Sequence, residues 1–128
     1  MRLNHAAVVS SSQENADKFF EGILGLAKIK SSKLHEDIAA EVFDQAVECG
    51  LLLYEGEGFA VEVIVQDAIQ NKGNPFVHLC LEVEDREAFI DRCRSARLRV
   101  NLVPKGDAML CFVADYDGNL YEIKELTN

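Results

Sequence analysis

The sequence predicts an α+β fold of two similar halves, each with the order strand, helix, strand, strand, strand. Placing His5 over His78 aligns residues 4–26 with residues 77–99 without a gap, and in both segments a β-type run changes to a helical period at the same place. A second pattern also occurs twice, as EGFAVEV (residues 57–63) and as DGNLYEI (residues 117–123). Each copy has an acid, a glycine and then a glutamate between apolar residues. These repeats predict a duplicated architecture.

The elements of the first half follow from residue spacing and turn residues. After a first strand near His5, apolar residues at positions i, i+3, i+4 and i+7 predict a helix over residues 16–23. Strands are predicted at residues 27–34, 50–55 and 59–65, the last two joined as a hairpin by a glycine-containing turn. The first half is longer than the second. Its extra residues lie around residues 35–45, which we predict to be an inserted short helix or loop.

The second half repeats this order. A first strand around His78 is followed by a helix, and strands are predicted at residues 98–104, 108–114 and 119–125. Residues 67–75, with Gly73, Asn74 and Pro75, read as a hinge. We therefore expect one domain over residues 1–128, made of modules 1–66 and 76–128.

Composition and charge exclude several classes of partner. A net charge of −9 in 128 residues disfavours nucleic acid and anionic membranes as partners. No apolar run approaches the roughly 20 residues of a membrane span, and residues 1–20 lack a signal-peptide pattern, so a cytoplasmic protein is expected. Six of the thirteen basic residues lie within residues 86–105, either as a solvated helix face or as a grip on an anionic ligand group. The four cysteines lack C-x-x-C spacing, which predicts reduced core residues.

Four polar residues carry the functional hypothesis, namely His5, Glu62, His78 and Glu122. A lone histidine or glutamate in a strand is usually a satisfied or solvated residue. Here the duplication puts a histidine on the first strand and a glutamate on the last strand of each half. Strands alternate faces, so these side chains should leave the sheet opposite the face that packs under a helix. Two imidazoles and two carboxylates that converge would bind a divalent ion with open coordination positions.

With these residues the chain resembles the vicinal oxygen chelate superfamily, which includes glyoxalase I, methylmalonyl-CoA epimerase, fosfomycin-resistance transferases, extradiol dioxygenases and bleomycin-binding proteins. The resemblance rests on His5, on the E-G-x-x-x-E of residues 57–62, on His78 and on DYDGNLYEI (residues 115–123). It implies a glyoxalase-like fold in which two βαβββ modules form a half-open barrel around a metal. It also implies a homodimer, whose partner subunit could complete the site.

Within that superfamily the chain looks most like glyoxalase I and the epimerase, which use a metal-dependent lyase or isomerase chemistry. The resemblance implies one divalent ion (Ni, Zn, Co, Mn, Fe or Mg) bound by His5, Glu62, His78 and Glu122. The ion would polarise a carbonyl of a small-molecule substrate while Glu122 moves the neighbouring proton, with Glu62 as its counterpart.

The chain departs from glyoxalase I at one position, and an alternative function stays open. Glyoxalase I typically has an arginine four residues beyond its first histidine, whereas this chain has Val9, so poor turnover of the glutathione hemithioacetal is expected. Bleomycin-type proteins bind ligands in aromatic grooves without a metal, and a metal-free binding or resistance protein on the same fold is the alternative function. The absence of tryptophan and the presence of three tyrosines favour the enzyme.

Overall fold

The computed structural model describes residues 1–68 and 73–127. The chain divides into two compact units, Met1–Gln70 and Asn71–Asn128. Of the predicted hinge at 67–75, residues 69–72 lie outside the described part of the chain. The prediction of a single domain with modules 1–66 and 76–128 stays a prediction.

The first unit is a four-stranded mixed sheet with the strand order β1-β4-β3-β2. Strand β1 runs parallel to β4, and the other neighbours are antiparallel. Its elements are β1 (Ala6–Ser10), α1 (Gln13–Ala16) continued by a π-helix (Asp17–Ile23), β2 (Ala27–Leu34), α2 (Glu36–Phe43), β3 (Cys49–Gly56) and β4 (Phe59–Val65).

The core of the first unit lies between the sheet and the first helix. The helix buries Phe19 and Phe20 against Tyr54, whose ring stacks on that of Phe20 at a centroid distance of 5.1 Å. The predicted helix thus exists, but most of it has i→i+5 hydrogen bonds. This wider turn rotates consecutive residues by less than the 100° of an α-helix, so both adjacent phenylalanines can face the sheet.

The Asp17 carboxylate ties this helix to the sheet. It accepts hydrogen bonds from Tyr54 Oη at 2.7 Å and from Lys28 Nζ at 2.9 and 3.0 Å. Burial raises the pKa of Asp17, but these hydrogen bonds outweigh burial, and the pKa lies below its usual range.

The second unit has the equivalent order β5-β8-β7-β6, with β5 parallel to β8. Its elements are β5 (Leu79–Val83), α3 (Arg86–Ser95), β6 (Val100–Lys105), β7 (Ala108–Ala114) and β8 (Leu120–Glu125). Ser12 and Asp85, which the sequence alignment superposes, each cap the following helix by accepting a backbone N–H. The two units therefore repeat the same topology down to the residue that starts the helix.

The predicted α+β fold with two βαβββ modules is confirmed. The inserted segment contains α2 in the first unit. Strand β5 begins only at Leu79, so the predicted first strand around His78 starts one residue after the histidine, and Val77 is exposed outside it. Among the described residues, no helix has both the length and the apolar character needed to cross a membrane.

The turn between β7 and β8 is organised by one buried carboxylate. Asp115 Oδ1 accepts the backbone N–H groups of Asp117 and Asn119, and Oδ2 accepts hydrogen bonds from Asn119 Nδ2 and Tyr121 Oη. Burial raises the pKa of Asp115, and these four hydrogen bonds oppose that shift. Gly118 supplies the positive φ of 85° that the bend requires.

We predict that Asp115→Ala lowers the free energy of unfolding by about 2–4 kcal/mol, because it removes four hydrogen bonds from a mostly buried turn. Urea denaturation followed by circular dichroism measures this change. Asp107→Ala in the exposed turn between β6 and β7 is the control and should change stability by less than about 0.5 kcal/mol. Equal effects of the two substitutions would contradict the assigned role of Asp115.

Candidate metal site

The first unit places His5 beside Glu62. Glu62 lies in the middle of β4 and pairs with Ala7 of β1 and Leu53 of β3. His5 stands two residues before Ala7, so its side chain emerges on the same face of the sheet. His5 Nε2 is 3.8 Å from Glu62 Oε2, and the side chains are 36% and 25% exposed.

The second unit places His78 beside Glu122 in the same way. Glu122 lies in β8 between Cys80 of β5 and Phe112 of β7. His78 stands two residues before Cys80, and its Nε2 is 3.6 Å from Glu122 Oε2. The Phe112 ring meets the His78 ring edge-on at a centroid distance of 5.4 Å, which restricts the orientation of the imidazole.

Hydrogen bonds at the other ring nitrogen define what each Nε2 atom can do. His78 Nδ1 lies 2.9 Å from the Phe76 carbonyl oxygen, and His5 Nδ1 lies 2.8 Å from Asn4 Oδ1. These oxygens only accept hydrogen bonds, so each Nδ1 carries the hydrogen and each neutral ring has its lone pair at Nε2. A backbone carbonyl or similar acceptor behind the ring is the usual support of a metal-binding histidine.

Each pair therefore sets two electron-pair donors against each other. The separations of 3.6 and 3.8 Å between Nε2 and Oε2 are too long for hydrogen bonds. Bonds of about 2.1 Å from one ion to nitrogen and oxygen would put the two ligand atoms about 3.0–3.4 Å apart at angles of 90–110°. The observed separations exceed that range by only a few tenths of an ångström. The residues present in each pair thus fit a divalent cation.

Within the described residues, no group of three or more histidine, cysteine, aspartate or glutamate side chains is spaced to hold a metal ion. The structure brings the four predicted residues together as two pairs, one in each unit. Sequence reasoning found these pairs through the duplication. It missed Asn4, Phe76 and Phe112, because the position of a supporting carbonyl or ring depends on the local path of the chain.

Two cavities flank Glu62 along the first sheet. One, of about 290 Å³, is lined by Ala60 and by the charged residues Arg2 and Glu55 among others. The other, of about 500 Å³, is roofed by α2, and none of its lining residues in the described part of the chain is charged. Its lining comprises Val9, Leu34, Ala39, Phe43, Gln45, Cys49, Ile64 and Ala68. The sequence signalled the insertion that builds this roof but not the cavity beneath it.

The remaining candidates have simpler roles. The side chain of His35 caps α2, where its Nδ1 accepts the Asp37 N–H at 3.2 Å, and it is exposed. Cys80 is exposed next to Glu122, while the other three cysteines are buried. Partial burial and the Glu122 carboxylate raise the pKa of the Cys80 thiol, which disfavours the thiolate there.

Comparison with known proteins establishes the family. A model of the Glyoxalase/Bleomycin resistance protein/Dioxygenase superfamily matches residues 4–114. The chain belongs to this superfamily, as its resemblance to the vicinal oxygen chelate proteins indicated. The match includes His5, Glu62 and His78 and ends before Glu122. A comparison with curated proteins gave no match.

Solved structures share the fold at low sequence identity. A glyoxalase family protein from Bacillus cereus is 18% identical with a TM-score of 0.75, and the alignment covers 98% of this chain and 93% of that one. The trypanothione-dependent glyoxalase I of Leishmania major is 17% identical with a TM-score of 0.74, covering 98% and 86%. A variant of the fosfomycin resistance protein FosX from Listeria monocytogenes, complexed with Mn(II) and 1S,2S-dihydroxypropylphosphonic acid, is 12% identical with a TM-score of 0.71, covering 95% and 87%.

These structures show the fold and the breadth of the family. Their names include a glyoxalase I and a fosfomycin resistance protein, and one of them binds Mn(II). Fold alone does not select one of these activities for this chain, because the same fold carries different sites.

The hydrogen bonds predict which nitrogen of each histidine carries the hydrogen. With all three rings neutral and without added metal, His5 and His78 should be protonated at Nδ1, which is the minor form of free histidine. His35 should be protonated at Nε2, because its Nδ1 accepts a backbone N–H. Long-range ¹H–¹⁵N NMR spectra distinguish the two forms, with His35 as the internal control. If His5 and His78 had the same form as His35, the lone pairs would not face Glu62 and Glu122.

Proposed function

We propose that this protein is a metal-dependent lyase or isomerase that transfers a proton next to a carbonyl of a small metabolite. The observation that carries the proposal is the pair of equivalent His–Glu sites, each with an Nε2 lone pair facing a carboxylate oxygen. Such an arrangement is unfavourable unless a cation or a proton separates the two acceptors. The superfamily contains metal-dependent enzymes, which makes a metal ion the preferred cation.

The proposed ligands of one divalent ion are His5, Glu62, His78 and Glu122. Two neutral imidazoles and two carboxylates balance a charge of 2+ and form the mixed nitrogen and oxygen set that first-row transition metals accept. Four protein ligands leave positions for a substrate on an ion that prefers six. Among the predicted metals, this set favours Ni, Zn, Co, Mn and Fe over Mg, which prefers oxygen ligands.

The chain's own residues would then divide the work. A bound divalent ion would supply Lewis-acid polarisation of the substrate carbonyl. Glu122 would accept the proton from the adjacent carbon and pass it to solvent, and Glu62, once protonated by solvent, would return a proton as its counterpart. Glu122 is the better first choice for the base because its side chain is the less exposed, at 18% against 25% for Glu62. Asn4 and the Phe76 carbonyl would hold the two imidazoles in place.

We also propose a cytoplasmic homodimer, in which the four ligands come either from one chain or from two. The twin pairs support both arrangements, because each module carries half of the ligand set. A superfamily built from repeated modules can assemble them within a chain or across a subunit interface.

The metal site predicts a difference in metal content. The purified protein, stripped with a chelator and reloaded with Mn²⁺, Ni²⁺ or Zn²⁺, should bind about one ion per pair of modules. The double variant His5→Ala/His78→Ala should bind at least about 100-fold more weakly, because it removes both nitrogen ligands. Elemental analysis and calorimetric titration measure this, with His35→Ala as the matched control. Equal metal content in the double variant and the wild type would remove the site and favour a metal-free binding protein.

The division of labour predicts a separate effect of Glu122→Gln. The amide keeps an oxygen that can bind metal but cannot accept the substrate proton. Exchange of solvent deuterium into the α-hydroxyketone hydroxyacetone, followed by NMR, should fall by about 10²–10⁴-fold while bound metal is retained. Glu57→Gln in the exposed turn before β4 is the control. Undiminished exchange in Glu122→Gln would assign the base to Glu62.

A further inference from the structure

The uncharged cavity under α2 lies directly beside the proposed reaction centre. Ile64 is two residues from Glu62 on β4, so both side chains project from the same face, about 7 Å apart along the strand. Val9 of β1 pairs with Ile64 of β4, and two residues earlier on both strands Ala7 pairs with Glu62. The sheet surface between Glu62 and the cavity is therefore continuous and apolar.

The lining chemistry defines what the cavity can hold. Seven of its eight residues present apolar side chains or a thiol, and the eighth is the amide of Gln45. The Cys49 thiol is oriented toward the Val47 carbonyl oxygen at 3.7 Å. A carboxylate, phosphate or phosphonate placed here would lose its hydration without gaining a cationic partner, which is costly. An alkyl or phenyl group would instead gain the free energy of leaving water.

The cavity on the other side of Glu62 has the opposite character. Arg2 and Glu55 line it together with backbone at the β3–β4 turn. A substrate held at Glu62 would therefore meet an uncharged surface on the Ile64 side and a charged surface on the Ala60 side. This difference between the two cavities would orient a bound molecule along β4.

The insertion at residues 35–45 is what creates the uncharged cavity. Helix α2 places buried Ala39 and half-exposed Phe43 over the sheet. It ends at Asp44, whose left-handed conformation (φ 56°) directs its N–H back to the Ala39 and Ala40 carbonyl oxygens. This C-cap fixes the end of the roof, and Gln45 continues the lining.

We propose that the cavity is a specificity pocket for an uncharged alkyl or phenyl group carried by the substrate next to its reacting carbonyl. The inference rests on the proposed function for the identity of the reacting centre. It assigns Val9 and Ile64 as the floor and α2 as the roof of this pocket. A chain of about four to six carbon atoms spans the distance from Glu62 to the cavity.

Alkyl hydroxamates of increasing length test the pocket on the metal-loaded protein. Acetohydroxamate probes the metal alone, and hexanohydroxamate adds a chain that can enter the cavity. The affinity should rise by up to about fourfold per methylene, the factor that corresponds to about 0.8 kcal/mol per buried CH₂. Hexanohydroxamate should therefore bind at least about tenfold more tightly than acetohydroxamate. Equal affinities of the two probes would overturn the pocket and leave the metal site standing.

The variant Val9→Phe fills the cavity and should reduce the affinity ratio of the two hydroxamates to within about twofold. Val103→Phe, at a half-exposed position of the edge strand β6, is the matched control and should keep the full ratio. If Val9→Phe does not fold, Ala68→Leu at the exposed rim narrows the same cavity. An unchanged ratio in the folded cavity variant would overturn the assignment of Val9.

A metal-free measurement separates the pocket from the metal site. Titration with 1-hexanol should shift the methyl NMR signals of Val9, Leu34 and Ile64, and Val9→Phe should abolish these shifts. Failure of acetohydroxamate to bind would contradict the proposed metal site. The hexanol titration alone would then test whether the pocket binds an apolar group. Absence of hexanol shifts would overturn the pocket. Light scattering of Val9→Phe tests whether a second copy of the chain covers this face. A changed mass with unchanged hexanol binding would show that it does, and this result would also overturn the pocket.

Discussion

The parallel pairing of the first and last strands in each module is the constraint on which the candidate site depends. In both units the histidine stands two residues before the residue that pairs with the glutamate, Ala7 in one and Cys80 in the other. Side chains at such positions share a face, so the register places each histidine beside its glutamate, with Nε2 and Oε2 within 4 Å of each other. A slip of one residue would turn Glu62 into the core and would turn Val61 and Val63 out of it. The burial of those valines therefore also fixes the site.

The electrostatics of the two His–Glu pairs indicates what they can bind. The two units hold their imidazoles with different devices, a side-chain amide oxygen behind His5 and a backbone carbonyl behind His78. Both devices leave the same lone pair facing a carboxylate. With neutral imidazoles each pair repels itself when empty, which supports the proposal that the pairs bind a cation. The two imidazoles thus have the same orientation although different hydrogen bonds hold them. This agreement supports ligand binding more strongly than either contact alone, because core packing does not require it.

The duplicated and the unduplicated parts of the chain have different roles. The duplicated parts carry the paired residues, with the glutamates on β4 and β8 and the histidines immediately before β1 and β5. The unduplicated part, residues 35–45, adds α2 and an uncharged cavity on the Glu62 face of the first sheet. Such an insertion changes what lies next to the candidate site in the first unit without altering the strands on which Glu62 and Ala7 pair.

The sequence by itself determined the duplication and the order of helix and strands along each half, and it singled out the four polar residues of the candidate site. Periodicity and glycine-marked turns are local, and β2, β4 and β7 have the predicted bounds of residues 27–34, 59–65 and 108–114. Only the tertiary structure decided that the first helix is largely a π-helix, since its apolar spacing equally fits an α-helix. It also decided the ring orientations of His5 and His78, through Asn4 and the Phe76 carbonyl, and the cavity beneath α2. These features depend on which backbone and side-chain atoms meet in space, and residue spacing carries no information about such contacts.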